Sequence, residues 1–145
     1  MYSSTIDRVL KTDVETKNIY LGCFSFDERP SITKYPSCFV INTQPRSKGG
    51  EHWLAIYFDN NENCYFFDSF GNKPSFYRLQ NYILTYSKQW TYNTKQLQGF
   101  EPHCGIYCIF FLLFISRKKL DIFFNAFTKN FIKNDKIFTN AIEKF

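Results

Sequence analysis

The chain has 145 residues, of which 44% are hydrophobic and 21% aromatic, with 18 Phe, 10 Tyr and a formal net charge of +5. That length supports one well-buried core and leaves too little for two, so residues 1–145 read as a single domain. Well-mixed charged residues (21%) exclude a disordered chain, the longest apolar run (106–115) is too short to span a bilayer, and the first residues lack the apolar core of a secretory signal.

Five cysteines, at 23, 38, 64, 104 and 108, form an odd set without a regular framework. Several lie within or beside apolar runs, which suits buried free thiols in a reducing compartment, and an intracellular location is expected. Along the chain, 3–10 carry weak helical periodicity through Ile6, Val9 and Leu10, with Ser3 or Ser4 as a cap. An extended piece at 19–22 precedes an irregular loop, and 38–43 read as a buried strand. After Gly49-Gly50 come His52 and an apolar strand over 53–58. The polar stretch 59–63 is a turn, so the next strand, 64–68, should pair back as a hairpin. Apolar residues at 76, 79, 83 and 86 predict an amphipathic helix over 75–88, and 92–97 a short strand ending at Gln98. The run from Cys104 to Ile115 is apolar on nearly every side and reads as a central buried helix. The tail reads as two short helices broken near Asn134-Asp135. These elements predict an α+β domain with a mixed central β-sheet packed by helices.

The hairpin carries the chemistry. His52 stands just before its first strand and Asp68 at the end of its second, so antiparallel pairing brings the two to one end. Asp68 would accept an imidazole N–H and fix the ring's tautomer, and an acid ending so apolar a strand is costly to bury unpartnered. Cys104 would occupy the first turn of the central helix, where unpaired N–H groups and the helix dipole favour a thiolate. Gln98 would aim its amide at a developing oxyanion, together with the Cys104 backbone N–H. A base, its orienter, an oxyanion donor and a nucleophile together define a cysteine hydrolase. Gly50, Glu51 and Trp53, which flank His52, are candidate substrate contacts.

Each residue also has a plainer reading. Cys104 alone would be another buried cysteine, His52 a structural histidine, Asp68 a turn residue and Gln98 a loop residue. His103 adjoins Cys104, but neighbouring side chains diverge at a helix start. A metal site from Cys104, Cys108, His103 and His52 lacks a second chelating pair, so no metal is expected. The basic residues gathered late in the chain (Arg117, Lys118, Lys119, Lys129, Lys133, Lys136, Lys144) read as a solvated helix face or, more sharply, as a contact for nucleic acid or an acidic partner.

At these residues the chain resembles the adenovirus endopeptidase (adenain) family, distant relatives of the SUMO-specific cysteine proteases. The resemblance runs through Tyr20-Leu21-Gly22 with Asp27-Glu28-Arg29, then Cys38 to Thr43, Arg46, Gly49-Gly50 and His52-Trp53. It continues through Cys64 to Gly71, and Gln98-Gly99 with Cys104-Gly105-Ile106-Tyr107-Cys108. It covers roughly residues 19–116 and implies an adenain/SUMO-protease-like fold with the order His, acid, Cys. It further implies a thiol endopeptidase that processes viral or mobile-element precursor proteins such as capsid or core proteins, near glycine, in the host nucleus and virion. No cofactor is required by the chemistry; an activating viral peptide and DNA come as candidate partners from the family alone, and a monomer without membrane contact is expected.

Departures from the pattern are informative. The acid is Asp68, as in the SUMO-protease relatives, where adenoviral enzymes typically have Glu. The Gln-to-Cys interval is also closer to those relatives, and the tail is shorter than in the adenoviral enzymes. No cysteine lies between Cys64 and Cys104, where adenain has the one that bonds its activating peptide, which argues against covalent activation by that route. Two alternatives stand beside the endopeptidase: an isopeptidase acting on ubiquitin-like modifiers, and an inactive module of the same fold that binds DNA or capsid.

Overall fold

The structure, a computed structural model, describes residues 3–48, 52–99, 103–139 and 141–142. Helix α1 (Ser3–Thr12) leads into strand β1 (Tyr20–Phe24). Strands β2 (Ser37–Asn42), β3 (Trp53–Phe58) and β4 (Asn63–Phe67) follow, then helix α2 (Gln80–Tyr86) and strand β5 (Gln89–Tyr92). Helices α3 (Cys104–Ser116), α4 (Leu120–Asn125) and α5 (Phe131–Ile137) complete the α+β fold. The strands form one mixed sheet in the order β1-β2-β3-β4-β5, with the outer pairs parallel and the central pairs antiparallel.

Side chains alternate across a strand, and here both faces of the central strands are covered. Cys38, Val40, Ala55 and Phe67 face one core with α1, α3 and α4, whereas Phe39, Ile41, Leu54, Ile56, Phe58 and Phe66 face a second with Leu79 and Ile83. That double burial is why β2 and β3 read as nearly continuous apolar runs. Helix α3 lies against β3 and is buried along nearly its whole length. Its outer side is closed by a set of rings centred on Phe123, which meets Phe67, Phe111, Phe114, Phe127 and Phe138 at 5.0–6.1 Å between centroids. Asp13, just past α1, grips Arg117 at the end of α3 through two hydrogen bonds of 2.5 and 3.1 Å. One cation of the basic tail is therefore committed to the fold.

Three expected elements differ. The helix expected over 75–88 is split into a 3-10 turn (Pro74–Tyr77) and α2, with Arg78 between them in left-handed conformation (φ 61°). Phe76, assigned to its apolar stripe, is 67% exposed. The strand expected at 92–97 is displaced to 89–92, because Asn93 leaves the ladder to bond the backbone of Asp68. The tail helices are broken at 126–130; Asn134 and Asp135 lie inside α5, whose N-cap is Asn130 accepting from Lys133 N.

Phe123→Ala removes the ring shared by the sheet, α3 and the tail. It should cost about 3–5 kcal/mol in a urea unfolding curve; a loss below about 1 kcal/mol would mean that this aromatic cluster does not hold the tail to the sheet.

Candidate active site

His52 is the residue before β3 and Asp68 the residue after β4. Those strands pair antiparallel, from Ala55↔Phe67 to Phe58↔Cys64, so both residues leave the ladder at the same end. His52 Nε2 and Asp68 Oδ1 lie 2.7 Å apart. The His52 backbone is fixed independently, since its carbonyl accepts from Thr43 N–H at 2.9 Å just beyond β2.

Asp68 is fully buried, which an ionised carboxylate tolerates only when its lone pairs are taken. They are taken by four donors: His52 and Phe70 N–H (2.9 Å) on Oδ1, and Tyr77 hydroxyl (2.6 Å) and Asn72 N–H (3.1 Å) on Oδ2. Asn93 clasps the main chain of the same residue, accepting from its N–H at 3.0 Å and donating to its carbonyl at 2.6 Å. Burial pushes the Asp68 carboxyl up, but the hydrogen bonds from His52 and Tyr77 outweigh it and hold the pKa below the usual carboxylate range. Burial likewise pulls the His52 imidazole down, and the hydrogen bonds and charges of Asp68 and Cys104 override it and lift the pKa to about 9. Phe70 stacks on the imidazole with centroids 4.7 Å apart, an arrangement that favours a cationic ring.

Cys104 opens α3 and is buried, its sulfur accepting from the Trp53 N–H at 3.4 Å, and it is near enough to His52 to help raise the imidazole pKa. Strand β3 thus delivers the imidazole and a donor to the sulfur from adjacent residues. Burial raises the thiol pKa of Cys38, Cys64 and Cys108, and that of Cys23 to about 12. Those four remain protonated at neutral pH. His103 sits at the N-cap position of α3, and the imidazole paired with Asp68 is that of His52.

Gln98 is buried, and its Oε1 accepts from the Ser69 hydroxyl. With the oxygen end held, the NH2 end is turned away from Ser69. The backbone N–H groups of Leu97 and Gln98 both donate to Ser69 C=O, at 2.8 and 3.0 Å. This close lacing depends on Gly71, which turns at φ 79° and would, with a Cβ, meet the Lys95–Gln96 backbone at 2.8 Å. Of the candidate substrate contacts, Trp53 is half-buried beside the sulfur, and Gly50 and Glu51 lie outside the described residues. An open groove of about 650 Å³ runs past His52, walled by Phe26, Phe70, Phe76, Tyr77 and Arg78. Among the described residues no group of three His, Cys, Asp or Glu side chains is placed to hold a metal ion.

Sequence reasoning missed the supporting residues Ser69, Phe70, Asn72, Tyr77 and Asn93. Ser69 and Phe70 lie within the segment that carries the acid, and their adjacency to Asp68 is the signal that marks them. Tyr77 was concealed by the helix expected over 75–88, and Asn93 by the strand expected over 92–97.

A thiol at a helix start, an imidazole steered by an ionised carboxylate and a buried, anchored amide make up the group set of a thiol hydrolase. The chain belongs to the adenovirus endoprotease family, which it matches over residues 20–140. It is similar to the protease of human adenovirus E serotype 4, at 50% identity over 68 residues covering 44% of this chain and 33% of that protein. The protease of porcine adenovirus A serotype 3 is 30% identical over 102 residues, covering 55% and 47% respectively. That of bovine adenovirus 2 is 41% identical over 68 residues, covering 44% and 32%. The chain spans under half the length of these curated relatives. Among solved structures it shares its fold with ChlaDub1 from Chlamydia trachomatis, with a TM-score of 0.51 at 17% identity over 75% of this chain and 60% of that one.

A His with a raised pKa contributes stability that is complete below its unfolded value near 6.5 and is lost as pH climbs through about 9. In urea unfolding between pH 6 and pH 9.5, the stability gap between the wild type and His52→Gln should therefore narrow by about 2–3 kcal/mol. A gap that holds constant over that range would rule out a charged His52 paired with Asp68.

Proposed function

We propose that the chain is a cysteine endopeptidase that cleaves viral precursor proteins in the infected cell or virion. Membership of the adenovirus endoprotease family supports the substrate class. The observation that carries the chemistry is the 2.7 Å contact between His52 Nε2 and a fully buried Asp68, beside a cysteine at the start of α3. With Nε2 engaged by the carboxylate, Nδ1 is the ring nitrogen left to take the proton of Cys104.

The thiolate attacks the scissile carbonyl, and the carbonyl oxygen becomes an oxyanion as the C–S bond forms. The Cys104 N–H at the helix start and the Gln98 Nε2 amide hold that charge. Collapse breaks the C–N bond, and the His52 imidazolium gives its proton to the leaving amine. Water, deprotonated by His52, then hydrolyses the acyl-enzyme and returns the thiol. The aromatic groove beside His52 and the half-buried Trp53 are the surfaces offered to the peptide on either side. A glycine next to the cut would let the backbone pass this close to the sulfur.

Cleavage of a capsid-precursor peptide library should be lost, by about 10⁴-fold or more, in Cys104→Ala and in His52→Ala, both retaining the wild-type circular dichroism. Asp68→Asn should lose less than His52→Ala, because it misorients the base without removing it. Undiminished turnover by Cys104→Ala would sink the assignment, and equal losses in the other two would overturn the division of roles.

A further inference from the structure

The peptide unit that joins Leu97 to Gln98 is held at both polar ends. Its N–H donates to Ser69 C=O at 3.0 Å, and its carbonyl accepts from Asn134 Nδ2 at 3.0 Å. Tyr107 hydroxyl also approaches that carbonyl, at 3.4 Å, but it has a single proton and a nearer acceptor in Asp135 Oδ1 at 2.7 Å. The Leu97 carbonyl therefore depends on Asn134. That side chain is 1% exposed in the middle of α5, a position that only a specific set of partners makes tolerable. Besides Leu97, its amide donates to Thr128 C=O at 2.7 Å and accepts from Thr128 N–H at 2.9 Å. It thus ties the turn between α4 and α5 to the segment preceding Gln98.

Packing repeats the message. A Cβ on Gly99 would stand 2.8 Å from Phe131 Cβ, so the first residue of α5 rests directly on the backbone beyond Gln98. Rotating the 97–98 peptide plane would swing the Gln98 Cα–Cβ bond and carry its amide off line. We infer that Asn134 is a positioning residue for the oxyanion donor: through the Leu97 carbonyl, α5 sets where the Gln98 amide stands. The tail is in this way a working part of the site although it contributes no reacting atom. This rests on the role proposed above for Gln98.

The test separates a reaction that develops an oxyanion from one that does not. Acylation by the p-nitrophenyl ester of acetylglycine passes through a tetrahedral oxyanion, whereas alkylation of Cys104 by iodoacetamide is a displacement at carbon without one. In the full chain, Asn134→Ala should slow acylation by about 10–100-fold and change alkylation by no more than about twofold. Combined with Gln98→Ala it should be no slower than Gln98→Ala alone, because both changes remove the same interaction. Asn134→Asp keeps the acceptor for Thr128 N–H and removes the donors to Leu97 and Thr128 C=O, and it carries the same test should Asn134→Ala unfold. Acylation at the wild-type rate, a parallel fall in both reactions, or additive losses would each overturn the inference. If Gln98→Ala itself acylates normally while Cys104 alkylates, the reading of Gln98 fails; if only Gln98→Ala slows acylation, the role of Asn134 alone fails.

Discussion

The burial of one carboxylate organises this molecule. Asp68 has no exposed surface, and a desolvated charge of that kind is worth several kcal/mol of penalty unless donors replace the lost water. Its four donors come from three differently constrained places: the entrance to β3, two backbone N–H groups of its own turn, and a tyrosine ending a 3-10 turn. Satisfying the acid therefore aligns the hairpin, shapes the turn and locates the imidazole at once. The same turn then reaches further, because Ser69 next to the acid anchors both the backbone and the side-chain oxygen of Gln98. Asp68, His52 and Gln98 belong to one hydrogen-bonded unit.

The sulfur reaches that unit by another route. It is carried by α3, whose place is set chiefly by apolar burial along nearly its whole length. The small side chain of Ala55 on β3 lies in the core that this helix fills, and the rings of α4 and the tail close it from outside. A hydrophobic helix packed on a sheet fixes distance well, whereas hydrogen bonds fix orientation. The structure uses the first for the Cys104 sulfur and the second for the polar groups around it, and the Trp53 N–H to Cys104 contact is where the two systems meet.

Where periodicity and burial coincided, the sequence was easy to read. Strands β2, β3 and β4 and helix α3 lie within one residue of their expected limits, since each is apolar on the faces that the core covers. The misreadings share a cause: polar side chains that bond to other parts of the protein in place of solvent. Asn93 looked like part of a strand and instead clasps Asp68. Asn134-Asp135 looked like a helix break, because Asn and Asp favour turns where water solvates them; inside α5 they are bonded to Thr128, Leu97 and Tyr107. Phe76 has helical spacing with Leu79 and Ile83, but the chain turns at Arg78, which lets Tyr77 reach the Asp68 carboxylate and Phe76 line the groove.

The sequence by itself determined the kinds of group present, their order, and the local frames that bear them: a hairpin whose ends converge, a buried helix with cysteine at its start, and a family likeness spread over those segments. Local preference and two-residue or 3.6-residue periodicity are enough for that, because they are written in neighbouring residues. Only the tertiary structure decided which polar side chains would serve as scaffolding. Tyr77, Asn93 and Asn134 acquire their parts from partners 9 to 37 positions away, with no trace in their own surroundings. Burial is what selects them: once the core has removed water from Asp68 and from the Leu97 carbonyl, the nearest donors become obligatory.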